Sequence, residues 1–239
     1  MAFSLALLGL AAIIGGSVAI VADLTREPTR TEIKEAGAKE IAIRWQNLKV
    51  ADIFPPTFEH GPIYAGTPSW AEGGRNDTPV QRIRRVAVVP AAPCGDAFDP
   101  KVAEALGRHG CRASLRATYV DATGTMATTL GVAVMADEDA ASNAYSALGS
   151  LRDREGVRAV PAAGTGTERF DDTRRRFFHV GTNQTPYLFF RTSGWLLDRG
   201  RVDRNRMLET FPFADVALGR VMRRFSTMDA PCQRKDIAC

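Results

Sequence analysis

The sequence predicts an α+β domain: an antiparallel sheet from two hairpins with helices packed on it, preceded by one N-terminal transmembrane helix. Three observations carry this. Residues 3–22 form one uncharged apolar run. Residues 111–120 and 125–135 alternate with a period of two around a turn. Stretches of helical periodicity flank that hairpin and a second one, giving the order helix, hairpin, helix, hairpin, helix, which is the pattern of an α+β fold.

The apolar run, Phe3 to Ala22, spans roughly 30 Å as a helix, the thickness of a bilayer's hydrocarbon core. It exceeds the apolar core of a cleaved signal peptide, and no Lys or Arg precedes it, so residues 1–24 read as a retained signal-anchor. Ala11, Gly15 and Ala19 recur every four residues, a spacing that lets two membrane helices pack closely as a homodimer. Arg26, Arg30, Lys34 and Lys39 follow the run, and a charge count alone would hold the soluble part in the cytoplasm. Large domains translocate largely regardless of that count, and the cysteines point outward.

Residues 25–54 are read as an amphipathic connecting helix. Thr31 is placed as its cap, and Ala38, Ile41, Trp45 and Leu48 as its apolar stripe. Ile53-Phe54-Pro55-Pro56 ends it, because proline lacks the N–H and disfavours helix in the residue before it. Residues 55–81, rich in Pro, Gly and small polar residues, read as a long loop.

The α+β domain is placed at 82–228. Residues 82–89 suit a strand, and Asp99-Pro100 starts a short helix that Gly107 and Gly110 end. The first hairpin puts Cys111, Ala113, Leu115, Ala117 and Tyr119 on one side and Arg112, Ser114, Arg116 and Thr118 on the other, turning at Asp121–Gly124. Asp137 caps a helix to about Leu151, with Ala141, Ala144, Tyr145 and Leu148 facing the sheet. Residues 157–160 read as a short strand and 161–174 as loop. Residues 177–180 and 187–197 form the second hairpin, and 213–228 the last helix, with basic residues at its end as the macrodipole favours. Residues 229–239 are a polar, cysteine-containing tail.

Four cysteines are present, Cys94, Cys111, Cys232 and Cys239, and none forms a C-x-x-C pair, so zinc and dithiol redox sites lack their usual spacing. An even count behind a membrane anchor points to disulfides in an oxidising compartment. Four cysteines allow three connectivities. The most local, Cys94–Cys111 with Cys232–Cys239, is the expected one.

Composition is that of an ordinary globular chain: 45% hydrophobic, 24% charged, net charge +4. The 31 basic residues are dispersed among 27 acidic ones with no dense basic block, which argues against nucleic acid as a partner. His60, His109 and His179 show no metal-ligand spacing, so no metal, cofactor or catalytic residue is assigned. Glu59-His60 offers acid–base groups without any indication of geometry. Ser193-Gly194-Trp195 lacks the nucleophile-elbow pattern, and Gly164-Thr165-Gly166-Thr167 lacks the lysine of a phosphate loop; both read as structural. Arg174-Arg175-Arg176 reads as a solvated charge run beside a strand.

The segments Glu40-Ile-Ala-Ile-Arg44-Trp45, Asp52-Ile53-Phe54-Pro55, Pro93-Cys94 and Gly110-Cys111-Arg112-Ala113-Ser-Leu-Arg116-Ala-Thr-Tyr119 resemble membrane-anchored extracytoplasmic proteins of actinobacteria, over roughly residues 1–150. In architecture alone the chain is also similar to the extracytoplasmic sensor domains of mycobacterial receptor kinases. Neither resemblance supplies an activity or site residues, and fold does not imply function. The expected role is a non-catalytic membrane-anchored extracytoplasmic module for sensing, scaffolding or binding a protein partner. The alternatives are a cell-envelope hydrolase and a cytoplasmic-facing basic domain that binds nucleic acid or anionic lipid.

Overall fold

The computed structural model describes residues 27–60, 81–197 and 212–226. The anchor run with its Ala11, Gly15 and Ala19 face, the Asp198–Gly200 turn, and the tail with Cys232 and Cys239 lie outside these residues. Among the described residues, no helix is long and apolar enough to cross a membrane. The chain divides into two units, residues 1–40 with 229–239, and residues 41–228.

Helix α1 spans Arg30–Asn47. Its cap is Thr29 rather than Thr31: the Glu32 amide donates to the Thr29 hydroxyl (3.3 Å) and the Thr29 amide donates to the Glu32 carboxylate (2.7 Å). This reciprocal pair satisfies two otherwise orphaned donors. The buried stripe is also rotated from the expected one. Ile41, Trp45 and Leu48 pack in the core as read, whereas Ala38 is exposed and Glu40 and Arg44 are buried. Arg44 donates to the carbonyl of Arg224, satisfying the last turn of the C-terminal helix.

The second unit is built on a six-stranded antiparallel sheet in the order β1-β2-β3-β4-β6-β5. The strands are β1 (Thr57–His60), β2 (Gln81–Ala92), β3 (Ala113–Val120), β4 (Met126–Val134), β5 (Arg175–Thr182) and β6 (Tyr187–Trp195). The two expected hairpins, β3–β4 and β5–β6, form the centre and one edge. The sheet is wider than two hairpins because β2 pairs with β3 and β1 pairs with β2. Strand β1 lies inside the stretch read as loop. The expected strand at 157–160 is reduced to a single bridge, Phe98 to Val157.

The central hairpin holds its register from Ala113 opposite Val134 to Val120 opposite Ala127. Its turn is organised by Asp121, whose carboxylate accepts from the amides of Thr125 (2.9 Å) and Met126 (2.8 Å), with Gly124 in the left-handed region at φ 68°.

Both faces of the sheet are covered. On one, Leu115, Ala117, Tyr119, Leu130, Val132, Tyr187 and Phe189 meet the end of α1 from Ile41 on, the short helix α2 (Val50–Ile53) and the last helix. On the other, Ala133, Leu188 and Phe190 meet α3 (Cys94–Ala97), α4 (Pro100–Arg108) and α5 (Glu138–Leu148). The rest of that second face lies under residues 157–170, where Phe170 packs with Val120, Ala127 and Leu196. The last helix, α6, is Pro212–Arg224. Asp137 caps α5 as read, accepting from the Ala140 amide at 2.7 Å.

Candidate functional site

Strand β2 delivers the chain to α3, and α4 returns it to β3. A disulfide between Cys94 and Cys111 closes this excursion, joining residues 17 apart. Asp99 sits before Pro100 at the start of α4, but its carboxylate makes no cap bond. It accepts instead from the Gly156 amide (2.9 Å) and from both terminal nitrogens of Arg175 (2.8 and 2.7 Å). A bidentate charged pair outweighs a single neutral cap bond. Arg175, read from sequence as part of a solvated run, is thus the buried one of the three, its side chain 9% exposed.

Asp172 extends this network. It accepts from the Ala159 amide at 2.8 Å, contacts Arg175 Nε at 3.1 Å, and stands 3.7 Å from Arg158 Nε. Residues 157–158 are tied across the sheet to the end of α3, since the Arg158 amide donates to the Ala97 carbonyl at 2.8 Å. Val157 crosses directly over β4 at Gly131, where an added Cβ would lie 2.7 Å from Val157 Cγ2. Arg116, paired with Gly131 in register, emerges from β3 beside this crossing. Its Nε is buried without a hydrogen-bond partner, as is that of Arg158. Burial lowers the Arg116 pKa, with Arg158 adding repulsion and Asp172 and Asp96 opposing both.

A second ionic pair lies on the opposite face. Arg191 sits in the middle of β6 on the same side as Tyr187 and Phe189, its side chain 2% exposed. Its Nε meets Asp215 Oδ1, from the first turn of α6, at 2.8 Å. Burial pushes the Asp215 carboxyl above the usual range, and Arg191 and His179 pull it back less strongly. His179, on β5, is opposite Arg191 in register.

The other residues singled out in the sequence are dispersed. His60 is in β1 and His109 follows α4. Glu59 pairs with Arg82 across the β1–β2 edge at 2.8 Å, exposed to solvent. Ser193 is fully buried, donating to the Thr128 hydroxyl at 2.9 Å, not exposed before a turn. Gly164 and Gly166 both take positive φ in a loop closed by the Thr165 and Thr167 hydroxyls. Among the described residues no group of His, Cys, Asp and Glu is placed to hold a metal ion.

Of the two buried ion pairs, one carried little signal in the sequence. Asp99 and Arg175 are 76 residues apart, and nothing in either neighbourhood marks the other. Arg191 did carry a signal: strand alternation places it on the apolar side with Tyr187 and Phe189, where a charge demands a partner. Compared with known proteins, the chain matches no family model, no curated protein and no solved structure.

Proposed function

We propose that the chain is a single-pass, membrane-anchored module whose α+β domain faces the extracytoplasmic side and binds a partner there without transforming it. The Cys94–Cys111 disulfide is the observation that supports this most directly. Such bonds persist in oxidising compartments and are rare where thiols are kept reduced. The uncharged run at residues 3–22, long enough for a bilayer, supplies the anchor in this reading. The likeness to anchored extracytoplasmic actinobacterial proteins fits the same placement.

Thiol labelling of intact cells expressing the full chain tests the proposal. A membrane-impermeant maleimide should leave the protein unlabelled until an impermeant reductant is added, and should then label it without lysis. Labelling that needs no reductant and appears only after lysis overturns both the outward placement and the bridge.

A further inference from the structure

We propose that residues 157–170 act as a strap that lifts from the second face of the sheet while the strands beneath it stay paired. Such a strap works alike on either side of a membrane.

Its fastenings are few and lie mostly at its ends. A strand within a sheet is held by a ladder of backbone bonds. The strap has one bridge, Phe98 to Val157, and the Arg158 amide donates to the Ala97 carbonyl at the end of α3. The next two amides reach only side chains: Ala159 donates to the Asp172 carboxylate at 2.8 Å, and Val160 to the Thr129 hydroxyl at 3.3 Å. From there the bonds turn inward. The Ala162 amide donates to the Thr167 hydroxyl at 3.3 Å, Thr165 and Thr167 share a hydroxyl bond at 2.7 Å, and the Thr165 amide donates to the Glu168 carboxylate at 3.0 Å. The middle of the strap is thus bonded to itself, and two fully buried apolar side chains, Val157 and Phe170, pin its two ends.

What the strap covers favours its release. On this face, among the described residues, three buried side-chain atoms have no hydrogen-bond partner: Thr192 Oγ1, Arg116 Nε and Arg158 Nε. All three lie at the entry of the strap. Thr192 Oγ1 is beneath Gly156, where an added Cβ would stand 3.1 Å from it. Arg116, half-buried, is opposite Gly131, and Val157 crosses over Gly131. Arg158 belongs to the strap, and its Nε stands 3.7 Å from Asp172, too far for a hydrogen bond. When the strap is down, these atoms have given up water and gained no bond, a cost that lifting returns. A segment with few apolar anchors and bonds of its own opens before the domain unfolds. Opening bares the centre of the second face, where Thr118 and Thr129 share a hydrogen bond at 2.7 Å.

The test is native-state hydrogen exchange of the oxidised full chain in detergent, read by mass spectrometry across low urea concentrations. The amides of residues 158–160 are hydrogen-bonded when the strap is down and exchange when it lifts. They should exchange roughly tenfold or more faster than the amides of β3 and β4, at a rate that low urea leaves unchanged, since a local opening exposes little surface. T192V removes an unpartnered hydroxyl and should slow exchange in the strap about tenfold. R116M removes the buried Nε from a half-exposed side chain, should act in the same direction, and carries the test if T192V folds poorly. Strap exchange that matches β3 and β4 in rate and urea dependence overturns the proposal, because the segment then comes away only with global unfolding. Strap exchange that neither variant slows also overturns it, because the buried atoms then stay covered when the segment moves.

Discussion

Replacing Asp215 with alanine is expected to be among the most damaging single changes away from the apolar core. At 2.8 Å from Arg191 Nε, its carboxylate offers a gross attraction of about 6 kcal/mol at an effective dielectric of 20. Desolvating the two ions consumes part of that, so the pair adds little net stability over an apolar contact. Losing one partner is a different matter. Arg191, 2% exposed between β6 and α6, then keeps its charge with nothing to balance it. The cost of such a vacancy is about 3–5 kcal/mol. The lower end applies, because Asp215 retains 31% exposure and its contribution is screened by water. A loss of about 3 kcal/mol would lower Tm by roughly 6–12 °C for a domain of this size. R191M should cost less, about 1–2 kcal/mol, since the stranded acid can reach solvent or take up a proton. The double variant D215A/R191M should recover most of the stability lost in D215A. Urea unfolding of the oxidised chain, with Cm and m fitted for all four proteins, is the assay. A D215A cost under about 1 kcal/mol, or a larger cost for R191M than for D215A, would refute this account of the pair.

Three further outcomes follow from other contacts. Gly131→Ala should destabilise by about 1–3 kcal/mol, because the new methyl meets Val157 Cγ2 at 2.7 Å, and Val157→Ala in the same chain should return part of that loss in urea unfolding. Replacing Cys94 and Cys111 together with alanine should cost about 3 kcal/mol for a closed loop of this length, read as a shift in Cm with the C232A/C239A chain as control. Burial raises the Tyr119 phenol above its ordinary value of 10.0, so the folded chain keeps a proton that the unfolded chain releases. Stability should therefore fall as pH rises beyond 10.0, and Tyr119→Phe should flatten that slope in alkaline unfolding curves. The same variant loses the bond to the Pro55 carbonyl, at about 1 kcal/mol across the neutral range.

Local rules make much of the fold legible. The β3–β4 hairpin is written in its alternation and in Asp121 and Gly124, which organise the turn by bonds within a few residues. Helix α5 is written in Asp137, whose cap bond is equally local. What escapes is whatever depends on distant partners. Strand β1 is four residues behind two prolines, and it exists because β2 offers it an edge. The alternation of β3 separates its two faces, yet it does not show that residues 157–170 cover the second one. The candidate site is less legible still. Arg116 appears in the sequence as one polar residue of an alternating strand, and nothing local shows that Val157 crosses beside it over Gly131 or that its Nε is buried. A charge run such as Arg174–Arg176 carries no mark telling which member turns inward toward Asp99.

Strand β2 is twelve residues long, and β1 pairs with only its first four. Beyond Arg85, no described residue outside β3 pairs with it in the sheet. An unpaired strand edge invites a neighbouring molecule to stack on and start a fibril. Two register shifts, between Arg85 and Ala87 and between Val89 and Ala92, warp that rim, and Pro90 deprives it of an amide donor. Both features disfavour the addition of a second copy along the stretch of β2 that no described residue outside β3 pairs.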